Sequence, residues 1–145
     1  MSGEDPHRVH GEYFLMFRNG IDFQVDVKGM GKLKGKGKLI VTTLRLILVN
    51  QQVSDLRAFD IPHGLAFDEK FKQPIFGANY WEGKCKPLHN SLPGDCHYKV
   101  WFMEGGVEKF LCSIRHSLKK IRKNVGGQKI NEELHNEFQS PQFTS

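Results

Sequence analysis

At 145 residues and 39% hydrophobic content, the chain is about one domain long and has enough apolar residues to bury a core. A net charge of +5 favours anionic partners, phospholipid headgroups or nucleic acid alike, and is equally what a soluble basic protein carries. A transmembrane helix is excluded, because the longest apolar run, Leu44 to Val49, contains Arg45 and falls far short of the ~20 residues needed to cross a bilayer.

Residues 1–11 hold charged, proline and glycine positions around a lone Val9 and read as a flexible leader to a domain over 12–126. Tyr13-Phe14-Leu15-Met16-Phe17 is a dense apolar run that packs on the domain as a helical turn or a strand, ahead of the turn signal Arg18-Asn19-Gly20. From Ile21 to Lys28 the chain alternates strictly. Ile21, Phe23, Val25 and Val27 fall on the buried face of a strand, and Asp22 and Asp26 fall on its polar face as solvated carboxylates.

Gly29-Met30-Gly31 then opens a loop, and Lys32, Lys34, Lys36 and Lys38 follow at alternate positions. Neither phosphate-loop pattern fits the spacing of Gly29, Gly31, Gly35 and Gly37, and no long helix follows, so a nucleotide loop is rejected. Lysines two apart share one side of a strand. The stripe they form is either an anion- or lipid-binding feature at the loop between the first two strands, or a solvated edge that deters aggregation. Leu39 to Thr42 and Leu44 to Val49 are apolar β-type runs. Their junction, Thr42-Thr43-Leu44-Arg45, is too short for a crossover and predicts a tight antiparallel hairpin.

Leu56 to Pro62 reads as a strand ended by proline, Gly64 to Phe71 as a short strand through Leu65, Phe67 and Phe71, and residues 72–77 as a loop around Pro74. Asn79 to Lys86 and His97 to Phe102 are strands separated by the proline-containing connector 87–95, with Tyr98, Val100 and Phe102 on one face of the latter. After Gly105-Gly106 the apolar period changes from two to about 3.6. Val107, Phe110, Leu111, Ile114, Leu118, Ile121 and Val125 make one helical stripe, ended by Gly126-Gly127 and buried in the core rather than laid on a membrane. The opposite side carries Lys109 and a basic patch of Arg115, Lys119, Lys120, Arg122 and Lys123 against the single acid Glu108. Residues 127–145 read as a polar tail that could add a turn or two through Ile130, Leu134 and Phe138.

No constellation here encodes catalysis, so no catalytic residue is assigned. Cys85-x-x-x-His89 with Cys96-His97 has the residue types of a metal site but not its geometry, since neighbours in a strand face opposite ways. No metal or cofactor is expected. Three cysteines with no secretory leader imply reduced thiols inside the cell, and neither a myristoylation glycine after Met1 nor a prenylation cysteine encodes a lipid anchor. Trp81, Trp101 and Phe76 are candidate partner anchors or nucleobase stacking platforms, but large aromatics in a small barrel more often pack in the core, which is the expectation here. Stacking on single-stranded nucleic acid would need several aromatics on the face that bears the lysines.

Six or seven antiparallel strands followed by one amphipathic helix define a mainly β, α+β architecture, a bent barrel capped by its helix as in pleckstrin-homology domains. The residues also carry a resemblance. Gly35 to Val49 looks like the hairpin of GRAM domains, with its Thr-x-x-Arg turn at Thr42 and Arg45. Lys72-Gln73-Pro74-Ile75-Phe76-Gly77-Ala78-Asn79-Tyr80 is similar to a distinctive segment of the WW domain-binding protein 2 family, and Gly83, Lys86 and Gly105 to Phe110 extend the match in order.

That resemblance implies a PH-GRAM fold and a non-enzymatic adaptor acting in transcriptional coactivation through protein partners, in the nucleus with shuttling from the cytoplasm. Anionic phospholipid, such as a phosphoinositide headgroup at a peripheral membrane contact, is the alternative partner, bound through Lys32, Lys34, Lys36 and Lys38. Direct nucleic-acid binding through the helix charges is a further candidate. Family members recruit WW domains through Pro-Pro-x-Tyr motifs in proline-rich tails. The six prolines here are all isolated from one another, so WW binding is not expected of these residues.

Overall fold

A computed structural model describes residues 11–87 and 92–125, and in it seven antiparallel strands curl into a half-barrel against one helix. The strands are β1 (Phe14–Val27), β2 (Gly31–Thr42), β3 (Arg45–Asn50), β4 (Ala58–Pro62), β5 (Ala66–Lys72), β6 (Tyr80–Cys85) and β7 (Cys96–Phe102), followed by α1 (Val107–Val125). Their order across the sheet is β4-β3-β2-β1-β7-β6-β5. The sequence-predicted leader, the tail and the glycine pair at 126–127 lie outside the described residues apart from Gly11.

The apolar run Tyr13 to Phe17 and the alternating run from Ile21 prove to be one strand. Arg18-Asn19-Gly20 does not turn the chain. It bulges β1 between the pairs Arg18↔Leu39 and Ile21↔Gly37, and Gly20 takes the positive φ of 67° that this kink requires. Beyond the bulge, Ile21, Phe23, Val25 and Val27 are buried as their alternation predicts. Two smaller corrections follow from local geometry: β4 begins only at Ala58, and His63–Leu65 makes a 3₁₀ turn before β5.

The predicted hairpin is present, with β2 and β3 in register from Gly37↔Asn50 to Val41↔Leu46. Thr42 organises its turn. Its Oγ1 accepts hydrogen bonds from the Leu44 and Arg45 amides at 3.1 and 3.0 Å and donates to Glu12 Oε2 at 2.7 Å. Arg45 bonds the same carboxylate from Nε at 2.8 Å and pairs on its other side with Asp60 on β4. Thr42-x-x-Arg45 therefore ties the start of the described chain to β3 and β4.

The core lies on the inner face. Leu39, Val41, Leu46, Leu48, Tyr98, Val100 and Phe102 meet Phe110, Ile114 and Leu118 of α1 there, so the helix is a core element as its stripe predicts. Phe110 packs edge-on to Trp81 at 5.4 Å between ring centroids and against Phe102 at 5.0 Å. Trp81 is thus in the core, its indole N–H donating to the Tyr98 hydroxyl at 3.1 Å.

Candidate functional site

The lysine stripe is built by the glycines between the lysines. Gly35 and Gly37 sit inside β2 and face inward, where a Cβ on Gly35 would come within 2.4 Å of the Phe23 ring and one on Gly37 within 2.1 Å of the Val49 carbonyl oxygen. Gly35 is thus held to glycine by a core ring and Gly37 by the backbone that follows β3 and its last carbonyls. Alternation then sends Lys32, Lys34 and Lys36 to the outer face, all exposed, with Lys38 half-buried behind them. The stripe runs along β2 itself, whereas the loop between β1 and β2 is the turn at 28–30. A lysine-rich loop between the first two strands is thereby corrected to a lysine-bearing strand face.

Register shows what else shares that face. One row reads Lys36, Asp22, Trp101, Tyr80 and Lys72 across β2, β1, β7, β6 and β5. The next reads Lys34, Gln24, Lys99, Glu82 and Lys70, and the third Lys32, Asp26, His97, Lys84 and Phe67. These rows hold seven lysines and three carboxylates, the acids in the interior and most lysines towards the two sides, and a fourth carboxylate, Asp68 of β5, reaches Lys84 at 3.6 Å. Asp22 and Asp26 stand directly across from Lys36 and Lys32, which tempers the local field. Among the described residues, Lys32, Lys34 and Lys36 make no ion pair.

The aromatics divide. Trp81 points inward, but Trp101 and Tyr80 lie on the lysine face with ring centroids 5.8 Å apart, and Lys99 Nζ sits 5.5 Å from the Tyr80 ring. Phe76 corrects the core expectation outright. It and Ile75 are 90% and 93% exposed on the loop between β5 and β6. That loop is most of the segment Lys72 to Tyr80. Lys72 and Tyr80 pair at its base, the Asn79 carbonyl accepts from the Phe102 amide at 2.9 Å, and Gly77 turns the chain at φ 97°.

The loop and the stripe meet. Pro74, Phe76, Gly77 and Ala78 line an open cleft of about 750 Å³ with Lys34 and Lys36 on its far side and Tyr80, Trp101 and Asp22 between them. That volume lies in the range of small-ligand clefts, roughly 300–1,000 Å³. Gln73 is exposed at the start of the loop. The convergence was invisible in the sequence, because residues 34 and 76 come together only through the strand order β2-β1-β7-β6.

The basic helix patch does not join this surface. Arg115, Lys119, Arg122 and Lys123 line a separate groove with Glu69, Phe71 and Leu118, and Lys120 is exposed beside them. Arg122 is committed to structure, its Nη2 lying 2.6 Å from Glu69 Oε1 and 3.3 Å from the Ala66 carbonyl. Helix and lysine stripe lie on opposite faces of the sheet. The metal-like residues separate too. Cys85 and Cys96 pair across β6 and β7 and are buried, whereas His97 faces outward and bonds Glu82 at 3.0 Å, and His89 lies outside the described residues.

Comparison with known proteins gives the geometry its context. No protein-family profile matches the chain. Over 78 residues it is 36% identical to a stress-induced protein of Schizosaccharomyces pombe, covering 52% of this chain and 45% of that protein. Over 76 residues it is 34% identical to WW domain-binding protein 2 of Homo sapiens, covering 52% of this chain and 29% of that one. The chain thus matches less than half the length of these relatives. In structure it is similar to the N-terminal PH domain of Vps36, with a TM-score of 0.65 at 13% identity over 84% of this chain and 90% of the other. A chain of the 8S snRNP assembly intermediate follows at a TM-score of 0.57 and 12% identity, over 80% and 88%. At such identities the two structures speak for the fold alone. With the hairpin, the Lys72 to Tyr80 loop and the half-barrel on the page, the chain carries a PH-like half-barrel domain whose sequence is similar, over about half of the chain, to WW domain-binding protein 2.

Proposed function

We propose that the domain is a non-enzymatic adaptor that docks a protein partner through the loop between β5 and β6, in transcriptional coactivation in the nucleus with passage through the cytoplasm. The observation that carries the docking site is the exposure of Ile75 and Phe76, two large apolar side chains held out on a loop that is pinned at its base. Apolar and aromatic anchors of this kind dominate binding energy when a partner desolvates them. The coactivator role rests on the relationship to WW domain-binding protein 2. Recognition of WW domains stays with that named relative, since none of the six prolines here is adjacent to another.

The test is quantitative affinity capture from nuclear extract with the wild-type chain and an Ile75→Asp/Phe76→Asp variant. Proteins retained by the first and lost by the second support the reading, and identical retained sets overturn it. Anionic phospholipid is a second reading, favoured by the exposed Lys32, Lys34 and Lys36, whose side chains make no ion pair among the described residues. Against it, Asp22 and Asp26 lie directly across from two of these lysines. Sedimentation with phosphoinositide vesicles separates the two readings. Wild type must partition more strongly than a variant with Lys32, Lys34, Lys36 and Lys38 changed to Ala, and equal partitioning removes the lipid.

A further inference from the structure

The face of the sheet that the helix leaves free carries cationic side chains and flat rings together, and we infer that it binds single-stranded nucleic acid. Bases stack on Trp101 and Tyr80, and phosphates are held by Lys34, Lys36 and Lys99. This goes beyond protein docking at residues 75 and 76, and it places the contact on the face opposite the basic helix.

Three observations carry it. The first is charge. Seven lysines against four carboxylates, Asp68 beside Lys84 included, leave the surface positive, most of all at Lys34, which faces Gln24 whereas Lys36 and Lys32 face Asp22 and Asp26. Residues two apart on β2 are about 7 Å apart, on the scale at which an extended strand repeats its phosphates. The second is the ring pair. Trp101 and Tyr80 are half-buried neighbours on this face, and such rings stack on unpaired bases whatever their sequence. The third is the placing of the polar groups around the rings. Asp22 stands beside Trp101 in the row that ends at Lys36, and Gln24 stands beside Lys99. A carboxylate there accepts from the N–H groups of a base edge but repels the side chains of an acidic peptide.

The same features decide against a duplex. A half-barrel face offers no helix to enter a groove, and ring faces find no partner among paired, stacked bases. They also supply a spectroscopic handle. The chain has two tryptophans, and Trp81 is 3% exposed in the core while Trp101 lies on the proposed surface, so stacking quenches the emission of Trp101 alone.

The test uses the full chain with fluorescein-labelled 12-mers of oligouridylate and oligodeoxythymidylate, a 12-base-pair duplex and polyglutamate. Fluorescence anisotropy gives the affinity, and tryptophan emission of unlabelled mixtures gives stacking. Either single strand is expected to bind at low salt with quenching, its affinity falling about 10- to 20-fold between 50 and 200 mM salt, as about three phosphate contacts require. The stronger of the two identifies the sugar. Lys34→Ala/Lys36→Ala should weaken binding about 10-fold at 50 mM salt and flatten the salt dependence, with the unfolding midpoint unchanged. Trp101→Phe should keep binding within about 3-fold and lose the quench. The proposal is overturned by no anisotropy change with either single strand at 25 mM salt, by equal binding of duplex or polyglutamate, or by a quench that survives Trp101→Phe.

Discussion

Arg45 reaches across the β2–β3 turn to Glu12, its Nε 2.8 Å from Oε2, with both side chains almost wholly buried. Breaking such a pair strands a charge in the interior, which costs about 3–5 kcal/mol. Arg45→Met should therefore lower the free energy of unfolding by about that amount in urea titration. Glu12→Leu combined with Arg45→Met should cost less than the two single changes added together, because the buried Glu12 charge is no longer stranded, while the half-exposed Asp60 loses Arg45 in the single and double variants alike. A loss below ~1 kcal/mol for Arg45→Met would mean that the pair is not what ties the turn.

Gly35 faces the Phe23 ring with no room for a methyl group. Gly35→Ala should destabilise by about 1–3 kcal/mol through overpacking. In the Phe23→Leu background the same change should cost measurably less. An additive pair would show that Phe23 is not the obstacle. The lysines on either side point the other way, so Lys34→Ala and Lys36→Ala should leave stability within about 0.5 kcal/mol.

His63 is buried, and its Nε2 lies 2.9 Å from the Thr42 carbonyl, which can only accept, so that nitrogen carries the proton and donates. Burial, aided by Arg122 and opposed by the Thr42 bond and Glu12, lowers its pKa to about 4. As pH falls, the unfolded chain takes up this proton near 6.5 and the folded chain only near 4. Stability should therefore drop across that window by on the order of 3 kcal/mol and lose nothing further from this group below it. His63→Gln keeps an N–H donor and should remove that part of the slope. Wild-type and variant pH profiles of equal steepness between 6.5 and 4 would contradict this.

Cys85 and Cys96 are buried and Cys112 is exposed on α1. Only an accessible thiolate reacts. The native, reduced chain should thus give one fast thiol with a disulfide reagent such as dithionitrobenzoate, and all three after unfolding. Three fast thiols in the native state would contradict the packing of β6 against β7.

The parts of the fold that depend on neighbours in sequence could be read from sequence. The alternation of Ile21 to Val27, the hairpin about Thr42 and Arg45, and the stripe of α1 all state their own period. Arg18-Asn19-Gly20 misled because a turn and a bulge use the same residues, and only the partner strand decides between them. Phe76 was assigned to the core because an aromatic residue carries no local sign of facing outward. The site was the least legible part, since Lys34, Phe76 and Trp101 come together through long-range strand order. Glu12 gave no signal beyond its charge, and its role appears only once Arg45 is seen buried.

The central claim is that the loop between β5 and β6 contacts a protein partner, and site-specific photo-crosslinking in cells tests it most directly. Benzoylphenylalanine is placed in the full chain by Phe76→benzoylphenylalanine, and in a control by Val53→benzoylphenylalanine, a fully exposed position in the loop between β3 and β4. The account predicts a discrete protein adduct from position 76 that is absent from position 53. No adduct from position 76, or the same adducts from both positions, would contradict it.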